Sequence, residues 1–344
     1  MIANIISENT KRARYANAFL RKRMVHTNLQ LLYNCNFRCR ICDYWKHDHK
    51  DEPQLTVPQI EVISEKLNQI APQIVSIGGG EPLLHPDILG VVRALARYHF
   101  PVMICNGWYV TPEKARNLWK AGMHEISISL DYASAERHDD QRGRKGAFDR
   151  AVRGLETLFK TRTQRHQRVH MISVVMDDNI DEIEKLAALA EQIGVTYLIT
   201  LYSDKRGEKA FQDIPANIAE KLHQTRRDNK TFVALRGYVD GMGTAVREQG
   251  VGPCYAGKNL CNIDNEGNMG LCIDRIENSV GNILTEDIHD LIAKLQKKHE
   301  ENECKSCWTS CRGCIETLMY GNDTVGNYWD IMQMTKPLGL SAIR

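Results

Sequence analysis

The chain has 344 residues, 42% of them hydrophobic, which suits one large domain with a sizeable core plus a small one. Its 45 basic and 43 acidic side chains leave a formal charge of +2, so bulk electrostatics give no reason to expect a nucleic-acid partner. No run approaches the roughly 18 apolar residues of a membrane-spanning helix, so no integral membrane segment is expected. The start, MIANIISENTKRARYANAFLRKR, lacks the apolar stretch and cleavage site of a secretion signal. The 11 cysteines fall in short, metal-like spacings and not in a disulfide framework, which makes the cytoplasm the expected compartment.

Residues 11–28, with Lys11, Arg12, Arg14, Arg21, Lys22 and Arg23 among apolar neighbours, predict a basic helix packed on the outside or base of the main domain. The run 31–33 ends a first strand. Thr56 and Pro58 open a helix that reaches about Asn68, and 74–78 is a buried strand. Helices at 87–98, 112–121, 147–161 and 180–193 then alternate with strands at 101–105, 125–130, 169–175 and 195–201. Short apolar strands separated by helices predict an α/β fold with a parallel sheet covered by helices. Six such units are fewer than a closed eight-stranded barrel needs. Beyond Leu201 the pattern weakens into a polar passage (202–215), a helix at about 217–229 and a glycine-rich stretch through 252. That stretch reads as a mobile linker or substrate-facing loop, with a domain boundary near 235.

The chemistry concentrates in LLYNCNFRCRICDYW, where Cys35, Cys39 and Cys42 lie close enough to converge on one metal centre. Zinc sites and cubane clusters ordinarily take four protein ligands, so one corner stays open unless a distant residue, such as one of the 12 histidines, fills it. Gly78, Gly79 and Gly80 end the second strand and permit close backbone approach, and Glu81 brings a carboxylate to the same edge. Cys105, Asn106 and Gly107 end the third strand. Ser127, Ser129 and Asp131 alternate along and beyond the fourth, on one face.

CxxxCxxC directly after the first strand, followed by GGEP, resembles the radical S-adenosylmethionine superfamily. The resemblance implies a partial (β/α)6 TIM-like barrel with its mouth at the carboxyl ends of the strands. It implies a [4Fe-4S] cluster on Cys35, Cys39 and Cys42, with the amine and carboxylate of S-adenosylmethionine on the fourth iron. Reductive cleavage then gives a 5'-deoxyadenosyl radical that takes a hydrogen atom from the substrate. The same resemblance places Gly79, Gly80, Glu81, Asn106, Ser129, Asp131, Arg142 and Ser173 in the cofactor site. Ile41 stands where the family often has an aromatic residue, so the adenine contact would be aliphatic.

The passage CYAGKNLCNIDNEGNMGLC, then NSVGNI and CKSCWTSC, resembles the opening of the cysteine-rich extension called a SPASM or twitch domain, with Gly267 at a hairpin turn. Cys272, Cys304, Cys307 and Cys311 then supply one auxiliary [4Fe-4S] cluster. Cys254 and Cys314 are candidates for a second, whose spacing departs from the full two-cluster pattern; a zinc ribbon is the alternative. Cys254 and Cys261 are also candidate hydrogen-atom donors. The expected organisation is a basic segment (1–28), the barrel (29–235), the auxiliary cluster domain (236–320) and a tail (321–344).

The resemblance implies reduction by a flavodoxin or a ferredoxin-like donor. The expected activity is oxidation, epimerisation or elimination on a small polar metabolite, entering beneath a cover formed by 236–252 and the second domain. The short segment before the cluster loop, which leaves no room for a leader-binding domain, favours this reading. The alternatives are a ribosomal peptide maturase making a crosslink or epimerised residue, a radical methylase, and a non-catalytic iron-sulfur electron carrier.

Overall fold

The structure is a computed structural model that describes residues 7–47, 49, 51–203, 214–248, 250–274, 278–305 and 307–334. Most of the expected polar passage 202–215 and the end of the expected tail lie outside the described residues. Helix α1 (Glu8–Leu20) starts where the Ser7 side chain accepts from Thr10 N–H at 3.2 Å. It stops before Lys22, which has φ 53, and residues 26–28 already belong to a strand, so the helix is shorter than expected. The helix lies against the base of the sheet, with Lys11 Nζ donating to the carbonyls of Ala96 and His99 at 3.2 and 3.1 Å.

Six strand-helix units follow: β1 (His26–Leu32), α2 (Val57–Ile70), β2 (Ile74–Gly79), α3 (Ile88–Ala96), β3 (Phe100–Cys105), α4 (Pro112–Ala121), β4 (Glu125–Ser129), α5 (Ala135–Arg142), α6 (Ala147–Thr161), β5 (Arg168–Val175), α7 (Ile183–Ile193), β6 (Thr196–Leu201) and α8 (Ile218–Asp228). Strands β1 to β6 pair in parallel and in sequence order. Their shared core includes Leu29, Ile77, Met103, Ile128, Met171 and Ile199, all nearly or fully buried. Local signals support the helices: Thr56 and Gln59 form a capping box on α2, and α4 runs from Thr111 to a left-handed Gly122.

The sheet does not close on β6. On its other edge β1 pairs in parallel with β7 (Leu260–Ile263), and a meander adds β8 (Asn268–Gly270) and β9 (Ser279–Asn282) antiparallel. The order β6-β5-β4-β3-β2-β1-β7-β8-β9 is thus an open, mostly parallel partial barrel, and Gly267 makes the β7–β8 turn with φ 88.

One element corrects the sequence reading. The glycine-rich stretch expected as a loop over the mouth is helix α9 (Arg236–Glu248) through Glu248. It buries Tyr238, Val239, Met242 and Ala245, a helical stripe, and its glycines act as contact points. A Cβ on Gly241 would lie 2.3 Å from the Trp308 ring, and one on Gly237 would crowd Thr317 and Asn327. Glycine here permits close packing and does not break the helix. Among the described residues three more helices follow: α10 (Ile288–Glu300), α11 (Ser310–Tyr320) and α12 (Thr324–Met334), the last within the expected tail.

Candidate active site

The cluster loop leaves β1 and turns tightly against two neighbours. Gly80 N–H donates to Leu32 O at 2.8 Å and Glu81 N–H to Asn34 O at 3.0 Å, which ties the end of β2 to the loop. On the other side, Arg38 and Arg40 N–H donate to the carbonyls of Arg142 and Gln141 at the end of α5. Within the loop, the Trp45 indole N–H donates to Cys39 O at 2.8 Å. Cys35, Cys39 and Cys42 all line one cavity of about 570 Å³ that runs through the barrel interior. Burial pushes the Cys35 thiol up to about 12 and raises Cys39 as well, so these sulfurs hold their protons until a cation takes their place.

The expected cofactor residues divide into two groups. Ile41, Gly79, Gly80, Asn106, Ser129 and Arg142 line the cavity. Asp131 is fully buried behind Arg142: its carboxylate accepts from Val174 N–H at 2.9 Å and lies 2.6 Å from the Arg142 guanidinium. Ser173 is also internal, donating to Leu130 O and accepting from Tyr197 Oη. Glu81 reaches the cavity, but one carboxylate oxygen accepts from Leu83 N–H at 3.0 Å and the other from Asn106 N–H at 2.8 Å. Burial still carries its carboxyl up to about 7 against the pull of those two N–H groups. Glu81 thus braces the ends of β2 and β3 from a place on the cavity wall. Asn106 is braced too, through Asn36 Oδ1 at 2.8 Å.

The sequence reading missed the wall formed by α11. Thr309, Ser310, Cys311, Cys314, Ile315 and Leu318 line the cavity on the side the open sheet leaves uncovered. The spacing 311, 314, 315, 318 is a helical stripe and could have revealed it. Of the expected cover, residues 236–248 are absent from the lining, and the second domain contributes through α11 and the segment at Ile273 and Asp274.

A second, smaller cavity is lined by Cys254, Cys272, Cys304, Cys307 and Cys311. Arg312, 1% exposed, braces it by donating to Glu316 Oε1 at 3.0 Å, to Cys307 O at 2.7 Å and to Gly252 O. The expected grouping of Cys254 with Cys314 is not what the fold provides: Cys254 sits with the other four thiols, and Cys314 faces the large cavity across α11. The candidate donors also fall elsewhere. Cys261 is fully buried between β7 and β1, 3.4 Å from Thr27 Oγ1, and neither it nor Cys254 lines the large cavity. Burial raises Cys254, Cys261 and Cys314 to about 12 and Cys272 to about 11.

Residues 29–190 match the radical SAM superfamily. The mycofactocin maturase MftC of Mycolicibacterium smegmatis is 30% identical over 310 residues, covering 83% of this chain and 76% of that protein. The chain belongs to the radical SAM superfamily. Two solved structures share its fold: SuiB of Streptococcus suis bound to its precursor peptide SuiA (TM-score 0.65, 16% identity, 83% of this chain and 68% of that one), and anSMEcpe with bound AdoMet (TM-score 0.64, 15% identity, 91% and 97%). The extension of this radical SAM enzyme is the cysteine-rich, SPASM-type region.

The residues present fit the groups the family uses. The donor set on the first loop is three thiols opening on one cavity, and the glycine turn beside it admits no side chain: a Cβ on Gly79 would sit 2.1 Å from Leu32 O at the end of β1, and one on Gly80 2.1 Å from Asn34 O of the loop. Cys35, Cys39 and Cys42 would hold the radical cluster, and the five thiols of the small cavity offer more than enough ligands for one auxiliary cluster. When bound, cluster and S-adenosylmethionine together supply the electron and the carbon radical that removes a hydrogen atom. The chain itself contributes the fixed loop, the apolar enclosure and the bracing of Arg142.

Proposed function

We propose that this radical SAM enzyme matures a peptide, abstracting a hydrogen atom from one residue to form a crosslink or an epimerised centre. The observation that carries the reading is the similarity to MftC, which covers 83% of the chain and so reaches beyond the barrel into the cysteine-rich extension. The small polar metabolite expected from the sequence has no comparable support. The proposed ligands are Cys35, Cys39 and Cys42 for the radical cluster and four of Cys254, Cys272, Cys304, Cys307 and Cys311 for the auxiliary one. Ile41, Gly79, Gly80, Asn106, Ser129 and Arg142 are the proposed cofactor contacts. The proposed division is a barrel over 29–235 and an auxiliary region over 236–320, working in the cytoplasm.

A reduced flavodoxin or ferredoxin-like protein is the proposed electron donor. Exposed Arg38, Arg144, Lys145 and Arg150 surround the cluster loop and form no ion pair among the described residues. Arg144 and Arg150 lie over the Trp108 ring at 4.4 and 5.3 Å, and that ring meets Phe37 of the loop edge-on at 5.8 Å. Such a patch suits an acidic carrier.

The test is an anaerobic assay of reconstituted, reduced enzyme with S-adenosylmethionine and perdeuterated short peptides encoded beside its gene, against deuterated sugars and aminocyclitols. Deuterium should enter 5'-deoxyadenosine from a peptide. In light water an epimerised product exchanges one deuterium for one solvent-derived hydrogen and is lighter by that difference, whereas a crosslink loses two hydrogen isotopes and regains none. Transfer from a small metabolite and from no peptide would overturn the proposal.

A further inference from the structure

β1 lies between two hydrogen-bonded neighbours, yet its inward face is polar. His26, Asn28 and Gln30 occupy alternate positions and all line the large cavity. Asn28 and Gln30 are 6% and 3% exposed. Their carboxamide oxygens are engaged: His26 Nε2 donates to Asn28 Oδ1 at 3.1 Å, and Tyr44 Oη donates to Gln30 Oε1 at 3.3 Å. Their amino groups are not. Asn28 Nδ2 is buried without a partner, and Gln30 Nε2 donates to no described residue. A buried donor left unpaired is costly, so a fold that keeps one on a cavity wall has a use for it there.

Two features say what kind of ligand would accept these bonds. The first is spacing. Alternate residues of a strand are about 6.6 Å apart, which is also the repeat of alternate carbonyls in an extended peptide. The second is the apolar part of the same lining, contributed by Val102 and Ile104 on β3 and Ile172 and Val174 on β5. Ile104 is 40% exposed although β3 is a central strand, so its side chain is open to the cavity and lacks a cover. A polyol would match the donors and leave Ile104 bare. A peptide offers carbonyls on one side and an apolar side chain on the other.

We infer that the inner arm of the cavity binds an extended peptide segment alongside β1. Two alternate backbone carbonyls accept from Asn28 Nδ2 and Gln30 Nε2, and an aliphatic or aromatic side chain between them packs on Ile104. Tyr44, two residues beyond Cys42, holds Gln30 in place and so links the peptide's register to the cluster loop. The inference deepens the peptide reading and rests on it. Asn28 and Gln30 are positioning residues that set which carbon is presented.

The experiment uses the reconstituted holoenzyme with S-adenosylmethionine and a panel of N-acetylated, N-methylamidated pentapeptides, each with one aliphatic or aromatic residue among alanines. Binding is measured by anaerobic calorimetry for wild type, Asn28→Leu and Gln30→Met. Each substitution should weaken the best peptide about tenfold. A depsipeptide, in which one amide becomes an ester with a weaker carbonyl acceptor, adds the decisive comparison. The ester should weaken binding to wild type several-fold and cost nothing further in the variant that lacks the matching donor. Equal ester penalties in wild type and both variants would overturn the inference and leave the peptide reading standing. That result is expected if Asn28 Nδ2 instead pairs with the unpartnered Oδ1 of Asn262 on β7. Binding of matched sugars, with no peptide bound by wild type, would overturn both.

Discussion

Replacing Gly80 by alanine probes how firmly the end of β2 holds the cluster loop. A Cβ there would lie 2.1 Å from Asn34 O and 2.5 Å from Tyr33 O, both backbone atoms that no rotamer change can move aside. Two hydrogen bonds would open as the strands separate, Gly80 N–H to Leu32 O and Glu81 N–H to Asn34 O. At about 1 kcal/mol for each bond and about 1–3 kcal/mol for the overlap, the variant should lose roughly 3–5 kcal/mol. The loop carrying Cys35 should shift with it. Two companions calibrate the effect. Gly252→Ala has nothing within 4 Å and should stay within about 0.5 kcal/mol of wild type. Gly146→Ala is equally open but has φ +82, and should lose about 1 kcal/mol from backbone strain alone. Urea unfolding of the three variants, with iron and sulfide counts after reconstitution, gives both readouts. If Gly80→Ala matches Gly252→Ala in stability and iron content, the loop is not held as described here.

Glu81→Gln should remove a pH dependence. A carboxyl raised to about 7 in the fold favours the native state fully below its unfolded value near 4.5, and that contribution is lost as pH rises through about 7. Wild-type stability should therefore decline by roughly 3 kcal/mol relative to Glu81→Gln between pH 4.5 and 8.5, and parallel urea midpoints across that range would refute it. Arg312→Met leaves Glu316 buried without its cation. It should cost about 3 kcal/mol and lower iron content by no more than the auxiliary cluster holds; full stability with full iron would contradict the bracing role.

Much of the barrel was legible because its strands read as short apolar runs between helices, although 74–78 buries only Val75 and Ile77 and turns Ile74, Ser76 and Gly78 to the cavity. The cluster loop was legible because the three cysteines and the glycine turn are local in sequence. What escaped depends on distant partners. Glycine in 237–243 signals a loop until the Trp308 ring is known to press against it, and α5 is hidden because five of its eight residues are charged. Glu81 and Asp131 were assigned by position as contacts. Their carboxylates also engage Leu83, Asn106, Val174 and Arg142, and no sequence spacing reveals that. The grouping of Cys254 with Cys304 and Cys307, and of Cys314 with the barrel cavity, turns on which face of α11 each neighbour meets.

The strand β7 is a continuation of the barrel's own sheet, in register with β1 at four positions from His26–Leu260 to Leu29–Ile263. Cutting the chain after residue 235 would bare that edge on the very strand that delivers the cluster loop, and an unpaired parallel edge recruits other chains. The cysteine-rich region is therefore no detachable cassette. A hybrid enzyme that joins this barrel to another extension must supply a strand that fits β1, and a grafted extension without one would yield aggregates before any question of chemistry arose.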